Sequence, residues 1–358
     1  MRVVPTAANQ HGVPRRRWAG VVLLVLLGSV ASAGGGEAGS PSASATIEQA
    51  QALEQRGDLA AARSAWERVI DTCYATATPD ELRQGRLGLH RLNSRVPPNR
   101  DLAKAQVWTV VVFIFRTLDF SWTPKGGGPR HVVTTVTPGE MSRIGLGMQR
   151  FSELVFRYTR GQLRIGYRFE VVEEPVRRLE GEDRFWLSPV NVRSQIAKRY
   201  VPGEVDSIFA YVKLGELPPY PGQEDRGGIP ALMFGGTYGG DEWVGLGGTG
   251  WTCFMWFPEW LYADGEVELH EWLHQVDWAF THRLGYPDDL VPSSDEGRKE
   301  GEAGGDLDFR RRPGDTNWLG FYEHLMSEHL TSRMWQQARC RPSVGARGGK
   351  PAGKPGSG

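Results

Sequence analysis

The chain has 358 residues, with 42 Lys and Arg against 42 Asp and Glu, so its formal net charge is zero. This balance excludes a strongly basic nucleic-acid-binding protein and a highly charged disordered chain. Hydrophobic residues make up 40% of the chain, which is enough for a core but too little for a protein with many membrane spans. One large domain with a smaller one is expected at this length.

The charges are distributed unevenly along the chain. Residues 1–33 contain four Arg and no acidic residue, and residues 339–358 contain five Lys and Arg and no acidic residue. The part between them therefore has a net charge of about −9. An acidic surface is repelled by DNA, RNA and anionic membranes, so we expect no nucleic-acid partner. The basic segment 339–358 is predicted to be a disordered tail.

The first 33 residues have the three parts of an export signal. Residues 15–17 are three Arg, residues 18–30 form a short apolar run, and residues 31–33 read Ala-Ser-Ala, the small-x-small pattern at which a signal peptidase cuts. The apolar run is too short to span a bilayer comfortably. We therefore predict a cleaved signal peptide and an exported protein (secreted, periplasmic or in the cell envelope), with no stable membrane insertion after cleavage.

A short helical unit is predicted between the signal peptide and the main domain. Residues 34–45 are rich in Gly, Ser and Ala and are interpreted as a linker, and residues 46–98 have apolar residues at helical spacing. Residues 50–70 resemble one tetratricopeptide-type helical hairpin, with Gly57 in the turn, and a third helix is predicted over 79–94. Such a unit either packs on the main domain or binds a protein partner, and the pattern favours neither alternative.

The pattern changes at about residue 105, where strands and helices begin to alternate. The order strand, helix, strand, helix, strand indicates an α/β or α+β layer. The predicted segments, in that order, are 107–115, 139–160, 162–172, 189–200 and 205–212. Residues 248–257 are predicted to form a further strand at the edge of a cleft. Two long helices are predicted last, over 263–283 and 317–337, with a Gly- and charge-rich loop, 286–316, between them that is a candidate lid.

Residues 270–274 read His-Glu-Trp-Leu-His, which fits the H-E-x-x-H pattern. In a helix, His270 and His274 lie on one face, about 6 Å apart along the axis at roughly 1.5 Å per residue. This spacing lets both imidazoles reach one Zn²⁺ ion. Glu271 then faces the open side of the metal, where a carboxylate can act as general base on a water molecule.

This motif, with the strands and the Gly- and aromatic-rich segment before it, resembles the zincin metallopeptidases over roughly 105–337. Residues 270–277, His-Glu-Trp-Leu-His-Gln-Val-Asp, are similar to the lethal-factor-type version of the motif. The resemblance implies an α+β domain, here 105–338, in which a mixed sheet packs on the motif helix and an edge strand lines the cleft. It also implies a Zn²⁺ cofactor and a peptide or protein substrate.

The residues after the motif depart from the metzincin branch of that family. Asp277 stands where a Gly would be, and Phe280 stands where the third His would be. The resemblance therefore implies the gluzincin plan, in which the third ligand comes from a later helix. Asp277 lies about 10 Å along the axis from His270, so we expect it to orient His274 rather than to bind the metal.

The predicted helix 317–337 is the expected source of the third ligand. Glu323 would complete a set of two His and one Glu, although Ser327 stands where the family has another carboxylate. His324, with the carboxylate of Glu328 four residues later, is the alternative. Remaining candidates for the third ligand are His329 and Asp295. His329 is otherwise a buried core residue or a proton donor, and Tyr322 is either an oxyanion partner or a core residue.

Taken together, these patterns predict an exported zinc metallopeptidase with Glu271 as general base. One alternative is a non-catalytic binding protein on a zincin scaffold, recruited through the helical hairpin. Another is a zinc hydrolase that acts on a cell-envelope polymer. The retained carboxylate of Glu271 favours an enzyme, because a purely structural metal site has no use for a base.

Overall fold

A computed structural model describes residues 42–123, 127–181, 185–200, 203–215, 235–238, 250–256, 263–286 and 318–339. All of them belong to one compact unit. The predicted signal peptide, residues 34–41 of the predicted linker, the candidate lid after residue 286 and the tail after residue 339 lie outside the described residues.

Three helices form the first part of the described chain: α1 Ala43–Gln55, α2 Leu59–Asp71 and α3 Pro79–Arg95. They confirm the helices predicted between residues 46 and 95. Helix α1 begins three residues inside the predicted linker, because the Ser42 side chain accepts a hydrogen bond from the Ala45 N–H at 3.2 Å and caps the helix. Buried residues of α1–α3, including Ile47, Trp66 and Leu89, share one hydrophobic core with the sheet.

The centre of the protein is a five-stranded sheet, and a two-stranded hairpin lies beside it. In chain order the strands are β1 Gln106–Phe115, β2 Thr117–Trp122, β3 Arg130–Thr135, β4 Leu163–Val172, β5 Ser207–Lys213, β6 Gly235–Tyr238 and β7 Gly250–Trp256. The large sheet has the order β4-β1-β5-β7-β6, in which β6 alone is antiparallel to its neighbour. Strands β1, β4 and β5 confirm three predicted strands. The hairpin of β2 and β3 was not predicted.

The predicted position of residues 248–257 at the sheet edge is wrong. Strand β7 pairs with β5 on one side and with β6 on the other, so its backbone hydrogen-bonding groups face two neighbours. The outermost described strand at this end is β6, a four-residue segment. A strand as short as β6 has too little periodicity to be recognised in the sequence.

Strand β1 divides the hydrophobic core into two parts because successive side chains of a strand point to opposite faces. Trp108, Val110 and Val112 pack in the cluster that includes helices α1–α3, whereas Val111 and Phe113 pack in the second cluster, on the side of the β2–β3 hairpin. Both sets are fully buried, which explains why β1 is an unbroken apolar run in the sequence.

Helices cover both faces of the sheet. They are α4 Pro138–Tyr158, α5 Pro189–Ala197 and α6 Glu266–Trp278, and a π-helical turn, Ala279–Arg283, continues α6. These elements confirm the helices predicted over 139–160, 189–200 and 263–283. The described residues thus form a mixed α+β structure, as expected.

The single helix predicted over 317–337 is instead two short helices. Helix α7 is Trp318–His324, a π-helical turn spans Leu325–His329, and α8 is Ser332–Ala338. The chain is extended at Leu330, with φ −104° and ψ 121°. Thr331 then begins a new helix, because its hydroxyl accepts from the Met334 N–H at 3.2 Å and donates to the Asp71 carboxylate of α2 at 2.8 Å.

Helices α4 and α6 approach each other closely at Gly147. A Cβ atom at Gly147 would lie 2.6 Å from Oε1 of the buried Glu268 of α6, whereas nothing lies within 4 Å of a Cβ at Gly145. We expect Gly145→Ala to stabilise the protein by about 0.5–1 kcal/mol through helix propensity. Gly147→Ala should destabilise it by about 1–3 kcal/mol through overpacking. Urea unfolding of both variants measures the difference in their stability. Equal unfolding midpoints for the two variants would contradict the close approach of Glu268 to Gly147.

Candidate metal site

The helix that carries the H-E-x-x-H motif begins at a position that only glycine can occupy. Gly265, the residue before α6, has φ +78°, and a Cβ there would lie 2.3 Å from the backbone nitrogen of Phe151 in α4. A side chain at Gly265 would therefore be strained by its backbone conformation and by its neighbour. Because Gly265 has no side chain, the start of α6 lies directly against the backbone of α4.

One face of α6 is anchored in the core by Trp272, which is fully buried. Its ring stacks on Trp335 of α8 at 5.8 Å between centroids, and it meets Trp108 and Phe151 edge-on at 5.6 Å each. The indole N–H of Trp272 donates to the Ser207 hydroxyl of β5 at 3.2 Å. The three predicted site residues, His270, Glu271 and His274, are only partly buried.

The structure places His270 and His274 side by side. Their ring centroids are 4.8 Å apart, and the ring planes meet at 86°. Two neighbouring imidazoles with different ring orientations can direct one nitrogen each at a common point, which is the arrangement that a tetrahedral metal requires.

Tyr322 of α7 contacts the first of these histidines. Its hydroxyl and Nδ1 of His270 form a short hydrogen bond, and the direction of this bond depends on the tautomer of the imidazole. When Nδ1 carries the proton, its N–H donates a hydrogen bond to the tyrosine oxygen, and Nε2 keeps its lone pair for a metal. Tyr322 is completely buried. Tyr322 therefore lies in the core, one of the roles considered from the sequence, and its contact with His270 would let it orient that imidazole.

The predicted third ligand, Glu323, does not join the two histidines in a compact set. Among the residues that the structure describes, His90, His324 and Glu328 have ligand atoms within 4.8 Å of one another, whereas His270, His274 and Glu323 do not form such a group. Glu323 is partly buried. Burial raises the pKa of Tyr158 at the end of α4, although Arg157 acts in the opposite direction. The negative charges of Glu323 and Glu266 raise it further.

The alternative ligand His324 lies in the other group. Its Nδ1 is 3.4 Å from Oε1 of Glu328, and Nδ1 of His90 is 2.9 Å from the same oxygen. The sequence pattern contained the i, i+4 pair of His324 and Glu328 but had no signal for His90, which is 238 residues from Glu328.

The remaining candidate residues have other surroundings. His329 is buried, with 1% exposure. Asp277 is partly buried, and its backbone carbonyl accepts from the Thr281 hydroxyl. Asp295 lies outside the described residues.

The motif helix carries a buried carboxyl group on its core side. Glu268 is 3% exposed, and the Tyr211 hydroxyl of β5 donates to its Oε1 at 3.1 Å. Burial raises the pKa of Glu268 to about 7, although the hydrogen bond from Tyr211 acts in the opposite direction. Burial, with the Glu268 carboxylate beside it, holds the pKa of Tyr211 well above its usual value. Glu268 is therefore part of the packing of α6 against β5.

Comparison with known proteins does not identify a relative. No protein-family model, no curated protein and no solved structure matches the chain. Within the described residues, no helix combines the length and the apolar character needed to cross a membrane.

Proposed function

We propose that the protein is an exported, zinc-dependent metallopeptidase of the zincin type. The observation that carries this proposal is the pair His270 and His274, which lie side by side on α6 and are partly exposed, as is Glu271, the residue after His270. The contact of Tyr322 with Nδ1 of His270 supports it, because metal-binding histidines are commonly oriented by a hydrogen bond at the other ring nitrogen.

The sheet offers a place for the substrate. Strand β6 is the outermost described strand at one end of the sheet and packs against α6, the motif helix. It runs antiparallel to β7. An extended peptide that added to this edge would use main-chain hydrogen bonds, which suit many different sequences. Its scissile bond would then lie near the imidazoles of α6.

His270 and His274 provide two of the protein donors that a catalytic zinc site needs. Glu323 remains our proposal for the third, and its side chain would have to move toward the two histidines to bind the same ion. Zinc bound here would polarise a carbonyl and lower the pKa of a water molecule to near 7. Glu271 takes a proton from the attacking water and returns it to the nitrogen of the leaving amine. Tyr322 holds the imidazole of His270 in place throughout.

Removal and return of zinc is the direct test. The full chain, treated with a chelator, should lose hydrolysis of a broad peptide library and regain it with Zn²⁺. His274→Ala should bind one zinc equivalent fewer than the wild type and lose at least about 100-fold in hydrolysis. His282→Ala is the matched control, since His282 is exposed and stacks on Trp278 at 3.8 Å in the turn that continues α6.

A folded, zinc-loaded wild type that cuts no peptide would overturn the peptidase proposal. In that case, zinc loss in His274→Ala would still support a binding protein on the same scaffold. Cleavage of cell-envelope polymers in place of peptides would indicate a zinc hydrolase that acts on the cell envelope, the second alternative predicted from the sequence.

A further inference from the structure

A second group of side chains suited to metal binding does not include the H-E-x-x-H histidines. It consists of His90 on α3, His324 at the end of α7 and Glu328 in the π-helical turn. Their ligand atoms are all within 4.8 Å of one another, and Oε1 of Glu328 lies 2.9 Å from Nδ1 of His90 and 3.4 Å from Nδ1 of His324.

These separations suit a zinc ion. Zinc binds imidazole nitrogen and carboxylate oxygen at about 2.0–2.2 Å in tetrahedral geometry, so two of its ligand atoms are roughly 3.3 Å apart. The distances around Glu328 lie on either side of that value. Two nitrogens and one oxygen are also a donor set that zinc prefers.

The burial of the group favours a bound cation. The Glu328 side chain is 3% exposed, that of His324 is 20% exposed and that of His90 is 48% exposed. A carboxylate at this depth requires a compensating charge. Arg160 interacts electrostatically with Glu328, and a divalent cation held among the three ligand atoms would add positive charge directly at the carboxylate. The exposed side of His90 leaves room for water as a fourth ligand.

The group also joins two distant parts of the chain. His90 belongs to the N-terminal helices, whereas His324 and Glu328 come two and six residues after Tyr322, which contacts His270. The same two regions are linked by hydrogen bonds from Thr331 to Asp71 and from Arg333 to Thr72, at 2.8 and 2.6 Å.

We propose that His90, His324 and Glu328 form a second zinc site that fastens helix α3 to the segment carrying Tyr322. The site is independent of the proposed peptidase function. It explains why the N-terminal helices contribute a histidine to the region that follows α7.

Zinc titration of the chelator-treated full chain, followed by isothermal calorimetry and thermal melting, tests the second site. The wild type should bind two equivalents and His90→Gln one. A His270→Ala/His274→Ala variant should keep one equivalent and a zinc-dependent rise in melting temperature. Adding His90→Gln to it should weaken the remaining zinc binding at least about tenfold. The matched control adds His131→Gln to the His270→Ala/His274→Ala variant. His131 is also an exposed histidine paired with a carboxylate, that of Asp119, but it is not part of the group of three ligands.

Each result separates the two sites. If the His270→Ala/His274→Ala variant melts cooperatively but binds no zinc, or if His90→Gln binds as much zinc as the wild type, the second site does not exist. If the wild type binds one equivalent that is lost in His90→Gln and kept in His270→Ala/His274→Ala, the second site stands and the peptidase proposal fails.

Discussion

Glu271→Gln is expected to lower peptide hydrolysis by about 100- to 10,000-fold, the usual contribution of general acid–base catalysis. Glutamine has nearly the same shape as glutamate but cannot accept a proton from the attacking water. The loss should fall on kcat more than on KM, because the proton transfer takes place only in the chemical step. The variant should still bind zinc, because His270 and His274 are unchanged. Metal content and steady-state kinetics on one cleaved peptide measure both effects.

The control for this experiment is Glu266→Gln. Glu266 lies in the first turn of the same helix, so this substitution removes an equal charge from α6 one turn before His270. We expect it to keep nearly wild-type hydrolysis. Glu271→Gln activity equal to that of the wild type would show that Glu271 is not the base.

Trp272→Ala should destabilise the protein by about 3–5 kcal/mol, the usual cost of truncating a buried aromatic residue to alanine. Three aromatic rings, those of Trp108, Phe151 and Trp335, lie 5.6–5.8 Å from the Trp272 ring, so its removal leaves a cavity among them. This loss is a large fraction of the 5–15 kcal/mol that stabilises a typical domain. Urea unfolding in the presence of a chelator measures it without a contribution from bound zinc.

Trp272→Phe provides the second variant, in case the alanine variant does not fold. Phenylalanine keeps a ring in the aromatic cluster but loses the hydrogen bond to Ser207. We expect it to lie between the wild type and Trp272→Ala in stability. Alanine and phenylalanine variants that both unfold at the wild-type urea concentration would show that this ring does not anchor α6.

Several elements could be predicted because their signals are local. Strand β1 is an unbroken apolar run, and α4 has helical periodicity together with a capping box formed by Thr137 and Glu140. The break between α7 and α8 could not be predicted in this way. Its helical pattern continues through Leu330, and the contact that stabilises a new helix start is made by Asp71, 260 residues away from Thr331.

The sequence alone determined the two imidazoles and one carboxylate on a single helix, because the spacing of His270, Glu271 and His274 fixes their relative positions once the helix forms. Only the tertiary structure decided what surrounds them. It placed Tyr322 against His270 and directed His324 toward His90 and Glu328, away from the motif. The reason is physical: positions within one helix follow from backbone geometry, whereas contacts between distant segments depend on how the whole core packs.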